Sequence, residues 1–129
     1  MKEIFRKWKW LSMATMAIVI ASLAPIPDNP PLEDVPFIDK WVHFVMYGGV
    51  VFAAWLDRIQ SKTKGNSLRF ALVVCVYSSL LGGLMELLQG LTSYRSCDLL
   101  DFYANVFGAV LASAIAICVV LCQRRHRPF

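Results

Sequence analysis

The apolar residues of this chain are gathered into four blocks, and that grouping restricts the fold more than any other feature. Of the 129 residues, 57% are hydrophobic, and the blocks cover approximately residues 10–24, 41–56, 68–88 and 99–122. The last two reach the ~20 residues that a helix needs to cross ~30 Å of hydrocarbon, and helices satisfy their own backbone groups in lipid. Interfacial tryptophans flank the two shorter blocks: Trp8, Trp10, Trp41 and Trp55. The sequence therefore predicts an all-α integral membrane bundle of four transmembrane helices, forming a single domain over residues 1–129.

The basic residues predict which way the bundle faces. Eleven of the thirteen Lys and Arg residues fall in three segments: Lys2–Lys9, Arg58–Arg69 and Arg124–Arg127. Because basic residues are retained on the cytoplasmic side, both termini are expected inside the cell. The same bias accounts for the net charge of +4, so no nucleic-acid partner is predicted. The two exceptions, Lys40 and Arg95, lie at the predicted outer surface.

The first block has a second interpretation. A basic start, an apolar stretch and the small residues Ser22 and Ala24 resemble a signal peptide that is cleaved from the mature protein. Pro25 follows Ala24 directly and argues against cleavage at that point. We therefore expect a retained first helix, and the mass of the mature N-terminus distinguishes the two interpretations.

Polar residues recur at helical spacing in or beside the other three blocks. They form three sets: Asp39, Lys40, His43 and Tyr47; Glu86 and Gln89; and Asp98, Asp101 and Asn105. Residues spaced three or four apart share one helix face. All three sets lie near the predicted outer boundary, and a charge that faces lipid costs ~2.5 kcal/mol or more, so the three faces should turn toward one another. The sequence predicts a polar cleft that opens outward.

The order and spacing of these residues resemble the VanZ-like family of small bacterial membrane proteins. Three motifs over residues 39–108 carry the resemblance: Asp39-Lys40-x-x-His43-Phe44-x-x-Tyr47, Glu86-x-x-Gln89 and Arg95-x-x-Asp98-x-x-Asp101-x-x-x-Asn105-x-x-Gly108. The resemblance implies a multi-pass protein of the bacterial plasma membrane. It also implies a link to antibiotic resistance, because the founding member gives low-level resistance to the glycopeptide teicoplanin. It implies no established reaction, and we expect no cofactor.

The candidate residues suit different roles. His43 and Glu86 are the catalytic candidates, because an imidazole beside a carboxylate suits acid–base chemistry near neutral pH. Arg95 is suited to bidentate binding of a phosphate. The remaining polar residues are predicted to line the ligand-binding cleft: Asp39, Lys40, Tyr47, Gln89, Asp98, Asp101 and Asn105. No metal site is predicted, since the sequence has no HxH, HExxH or paired-histidine spacing.

Structural roles are the alternative for the charged residues. Asp98 and Asp101 are placed to cap the last helix and to face its first turn. Lys40 and Arg95 can serve as ion-pair partners for Glu86 and the aspartates, because buried charges need partners whatever the function.

Three functions remain open on the sequence alone. The first is a protein that binds or modulates a membrane lipid or a lipid-linked component of the cell envelope. The second is an integral membrane hydrolase or transferase that acts on a lipid-linked substrate. The third is a small ion or proton conduit. A homo-oligomer is compatible with each of them, since stripes of small residues allow close helix packing within or between chains.

Overall fold

The computed structural model describes residues 6–25, 35–63, 65–93 and 97–125, and within these ranges the chain forms α-helices and no strands. The described ranges contain four helices: α1 (Lys9–Leu23), α2 (Ile38–Gln60), α3 (Ser67–Gly90) and α4 (Leu99–Arg125). The last three helices are long and apolar enough to cross a membrane. With 15 residues, α1 is apolar but only about 22 Å long at ~1.5 Å per residue. The all-α bundle is confirmed, whereas a fourth crossing and the cytoplasmic position of both termini remain predictions.

Local signals explain where the helices begin and end. The Asn66 side chain accepts hydrogen bonds from the backbone amides of Leu68 and Arg69 and thereby caps α3. The α1 helix ends at Leu23, two residues before a proline that would interrupt it. The predicted second block begins at residue 41, but α2 begins at Ile38. The difference places the motif residues Asp39 and Lys40 within the first turn of a helix.

Glycines allow α2 and α4, the most extensively packed pair of helices, to approach closely. A Cβ atom added to Gly108 would overlap the backbone carbonyl of Phe44. A Cβ atom added to Gly48 would lie 3.3 Å from the carbonyl oxygen of Gly108. The backbones of the two helices are therefore in direct contact, as in other membrane bundles built on small residues.

The bundle has two chemically different ends. We call the end where α2 and α4 begin and α3 terminates the site end, and the opposite end, which carries Arg58 and Arg69, the basic end. Between them lies an apolar core of Val51, Ala54, Trp55, Ala71, Val74 and Ala109. The outer surface of the bundle is also apolar, with exposed residues that include Val45, Phe52, Leu72, Leu80, Phe107 and Leu111. A surface of this kind suits contact with lipid chains.

Polar contacts attach α1 to the bundle at both of its ends. At the basic end, the buried carboxylate of Asp57 accepts hydrogen bonds from the backbone amides of Trp10 (3.2 Å) and Leu11 (2.8 Å). At the site end, Gln89 donates a hydrogen bond of 3.0 Å to the carbonyl oxygen of Ser22. An acid at a helix N-terminus accepts hydrogen bonds from the free amides and interacts favourably with the positive end of the helix dipole. These contacts make α1 part of the bundle, while its retention in the mature protein stays a prediction.

Candidate functional site

The three polar sets of the sequence meet at the site end of the bundle. We call the assembled group the polar cluster: Asp39, Lys40, His43, Glu86, Asp98, Asp101 and Asn105. Exposure falls steadily with depth, from 56% for the Asp39 side chain to 4% for that of Glu86. The cluster thus has an accessible rim of two aspartates and a buried floor formed by α2, α3 and α4.

Lys40 is surrounded by carboxylates. Its ammonium group donates hydrogen bonds to Asp39 (2.7 Å), Asp98 (2.9 Å) and Asp101 (3.0 Å). An ammonium group has three donors, and these three bonds use all of them. The predicted pairing of Lys40 with the aspartates is therefore present, whereas its pairing with Glu86 is absent.

Asp98 joins the rim to the floor. One of its carboxylate oxygens accepts a hydrogen bond of 2.9 Å from the Leu100 amide, which confirms the capping role predicted at the start of α4. The hydrogen bond from Lys40 holds the pKa of the Asp98 carboxyl below its usual range, so this group is ionised at neutral pH. The Asp98 backbone amide in turn donates to Oε2 of Glu86 at 3.3 Å.

His43 lies at the centre of the floor. Its Nδ1 atom is 3.0 Å from Oδ1 of Asn105 and 3.5 Å from Oε1 of Glu86. Both of these atoms are acceptors, so the tautomer protonated at Nδ1, which donates to Asn105, fits this arrangement. Nε2 lies 3.8 Å from Oδ2 of Asp101. The imidazole is thus held between carboxylates that belong to two other helices.

A glycine provides the room for this arrangement. A Cβ atom added to Gly82 would lie 2.9 Å from Nδ2 of Asn105, so the small residue on α3 lets the buried amide approach. Asn105 is fully buried, and its Nδ2 atom lies close to Glu86 but forms no hydrogen bond of good geometry within the described ranges.

Two predicted cleft residues lie behind the cluster. Gln89 is buried and binds α1 through Ser22. The ring of Tyr47 is fully buried and stacks on that of His43, with centroids 6.4 Å apart. The hydroxyl groups of Tyr47 and Ser22 lie close together, although neither forms a hydrogen bond of good geometry within the described ranges. Both predicted residues therefore support the floor from the side of α1.

Other outcomes concern Arg95 and Asp57. Arg95, predicted as the phosphate-binding residue, lies outside the residues that the structure describes. Asp57 was not singled out by the sequence analysis, yet it is 1% exposed and caps α1. The signal that identifies it is a single acid at the end of an apolar block, in a segment that is otherwise basic.

An apolar groove runs beside the cluster between α3 and α4. Its volume is about 680 Å³. Aliphatic and aromatic residues form most of its wall, including Leu80, Leu84, Leu87, Leu99 and Phe102. Glu86 and Asp98 of the polar cluster also line it. The groove thus brings a wall suited to a hydrocarbon chain next to charged groups.

Two groups of three side chains in the cluster are close enough to hold a cation. Asp39, Asp98 and Asp101 surround the Lys40 ammonium group, which takes the place of a cation there. His43, Glu86 and Asp101 form the second group, with one residue from each of three helices. The local spacing within any one helix does not reveal this second group.

Comparison with known proteins supports the same assignment as the motifs. The family model described as VanZ/LLP1 matches residues 1–121, which include the whole polar cluster and all of α1. No curated protein and no solved structure matches the chain. The match extends over nearly the full length, and the chain therefore belongs to the VanZ/LLP1 family.

Proposed function

We propose that this protein binds a membrane lipid or a lipid-linked component of the bacterial cell envelope at the outer face of the plasma membrane. The hydrocarbon chain lies in the groove between α3 and α4, and the headgroup lies against the rim of the polar cluster. One observation carries the proposal: Glu86 and Asp98 line the apolar groove and also belong to the cluster. An amphipathic ligand requires this adjacency of apolar and polar surfaces.

The state of Lys40 restricts the headgroup. Three carboxylates already occupy its donors, so Lys40 is not available to bind a phosphate. The accessible groups at the rim are the carboxylates of Asp39 and Asp98, which are acceptors. Headgroups that bear hydroxyl or amino groups fit this surface best. Tolerance of glycopeptides such as teicoplanin would follow if the bound component belongs to cell-wall synthesis.

Lipid analysis of purified variants tests this proposal. Wild-type protein extracted in mild detergent should carry a lipid that is enriched over the bulk membrane. Gly83→Leu places a side chain beside Phe102 in the groove and should reduce the amount of bound lipid severalfold. Gly49→Leu is the control, because no atom lies within 4 Å of the added Cβ. An unchanged lipid in the Gly83→Leu variant would exclude the groove as the binding site.

An enzyme acting on such a lipid is the second candidate, because the imidazole of His43 is held between Glu86 and Asp101. An oriented imidazole beside carboxylates suits general acid–base catalysis. If His43 and Glu86 act as a unit, His43→Ala and Glu86→Gln should each abolish the activity, and the double variant should be scarcely worse. A binding protein should instead show modest and separable losses.

Glycopeptide susceptibility of cells that carry these variants is the practical readout, with the membrane abundance of each variant matched to that of wild type. Wild-type susceptibility in both single variants would remove His43 and Glu86 from the site. Comparing the lipids of a deletion strain with those of its parent separates the two candidates. An enzyme should leave its lipid substrate unconverted in the deletion strain, whereas a binding protein should not change lipid conversion.

A further inference from the structure

We propose that His43, Glu86 and Asp101 bind a divalent transition-metal ion. The three residues come from α2, α3 and α4, and one ligand atom from each lies within 4.8 Å of the other two. All three are buried, at 6%, 3% and 8% exposure. One imidazole and two carboxylates are ligands that Zn²⁺ and Mn²⁺ accept.

Each of the three residues has one polar atom held by a neighbour and a second that forms no hydrogen bond of good geometry within the described ranges. Asn105 accepts from Nδ1 of His43 at 3.0 Å. Lys40 donates to Oδ1 of Asp101 at 3.0 Å. The amide of Asp98 donates to Oε2 of Glu86 at 3.3 Å. The atoms left over are Nε2 of His43, Oδ2 of Asp101 and Oε1 of Glu86. Metal sites are built in this way, with outer partners that fix the tautomer and orientation of each ligand.

The distance between two of the free atoms fits shared coordination. Nε2 of His43 and Oδ2 of Asp101 are 3.8 Å apart, which is too long for a hydrogen bond. Two ligands that each lie ~2.0–2.2 Å from one metal ion are separated by roughly this distance when the angle between them is wide. The spacing is compatible with two ligands to one ion at a wide angle.

The Oε1 atom of Glu86 supplies an independent observation. It is buried and forms no hydrogen bond of good geometry within the described ranges, although the Asn105 side chain lies close to Glu86 and Nδ1 of His43 is 3.5 Å from this oxygen. A buried carboxyl oxygen without a good hydrogen bond is unfavourable. The described cluster also holds four carboxylates against the single ammonium group of Lys40. A dication offsets both the unpaired oxygen and the excess of negative charge.

Metal titration of the purified protein tests the inference. Chelator-treated protein in lipid-free detergent should bind one equivalent of Mn²⁺ or Zn²⁺ and unfold at a higher temperature. His43→Gln, Glu86→Gln and Asp101→Asn should each weaken the affinity by at least about 100-fold, and Asn105→Ala should weaken it by roughly 10- to 100-fold as a positioning residue. Gln60→Ala, which removes only an exposed hydrogen bond at the basic end, is the control and should leave the affinity within about threefold of wild type.

A measurement on the wild-type protein guards against variants that fail to fold. Pulsed electron paramagnetic resonance of the Mn²⁺-loaded protein should show coupling to an imidazole nitrogen. Absence of that coupling, equal affinity in all ligand variants, or folded protein that binds neither ion would each overturn the proposal. The titration contains no lipid, so its result is independent of the lipid-binding test.

Discussion

At the scale of single residues, Lys40 acts as a fixed cation in the site. Its ammonium group takes the central position among three aspartates, where an ion would otherwise be needed. Lysine differs from a metal ion in that it is tied to the start of α2. It therefore joins the first turns of α2 and α4 as well as neutralising their charge.

Replacing Lys40 with methionine should destabilise the protein while keeping its shape. Loss of one partner in a buried ion pair costs about 3–5 kcal/mol, and because the Lys40 side chain is 20% exposed we expect about 1–3 kcal/mol. Thermal unfolding in detergent, followed by tryptophan fluorescence, measures the change. Asp39→Asn removes only the most exposed of the three aspartates and should cost less than about 1 kcal/mol. If Lys40→Met were as stable as wild type, hydration of the three aspartates would have to replace their lost ion pairs with Lys40.

At the scale of helices, the contact between α2 and α4 depends on one glycine. Gly108→Ala adds a Cβ atom that overlaps the carbonyl of Phe44, and a backbone atom cannot rotate away as a side chain can. Overpacking of this kind costs about 1–3 kcal/mol or more. We expect a lower unfolding temperature and a lower yield of folded protein by size-exclusion chromatography.

Gly49→Ala is the control for this prediction. Its added Cβ atom meets nothing within 4 Å, and alanine is favoured over glycine within a helix by roughly 0.5–1 kcal/mol. The variant should be as stable as wild type or slightly more stable. If Gly108→Ala were equally stable, the result would contradict the close backbone contact between α2 and α4.

The attachment of α1 is a second property of the helices. Asp57→Ala leaves the amides of Trp10 and Leu11 without an acceptor, and loss of a helix cap costs about 0.5–2 kcal/mol. Amide hydrogen exchange at the start of α1 should become faster, while exchange in α3 should change little. Gln60→Ala removes only the exposed hydrogen bond to the Trp10 ring and serves as the control. Unchanged exchange in Asp57→Ala would show that apolar packing alone holds α1.

At the scale of the whole molecule, the orientation in the membrane is the principal prediction. Cys97, Cys118 and Cys122 are all exposed, and Cys97 lies at the site end. In single-cysteine variants, Cys97 should react with a membrane-impermeant thiol reagent applied to intact cells, whereas Cys118 and Cys122 should not. Permeabilised cells control for reactivity. Labelling of Cys97 only after permeabilisation would indicate the opposite orientation, with the polar cluster on the cytoplasmic side.

The distribution of polar groups through the bundle disfavours a conduit. On α2, the buried residues Val50, Val51 and Ala54 separate Tyr47 from Asp57. Val74 and Ala109 close the same layer from α3 and α4. Water and ions avoid a packed apolar layer, so the described residues provide a site at one end of the bundle and no polar path to the other.

The sequence predicts which residues meet in this bundle better than it predicts how they pair. Spacing of three and four residues places His43, Glu86 and Asp101 on inward faces, and the structure brings them together. Their exact partners depend on helix rotation and side-chain torsions, which spacing does not define. Lys40 accordingly pairs with the aspartates alone, since Glu86 lies deeper, and Gln89 turns to α1. The role of Asp57 is hidden because its partners are backbone amides 46 and 47 residues away.

The cap that Asp57 places on α1 also defines an order of events during synthesis. The amides of Trp10 and Leu11 leave the ribosome early, whereas the carboxylate that satisfies them follows 46 residues later. The glutamine that binds the far end of α1 follows its partner Ser22 by 67 residues. The helix that is translated first is therefore secured at both ends only after α3 has been translated. Until the end of α2 has been translated, water and lipid headgroups must satisfy the first amides of α1.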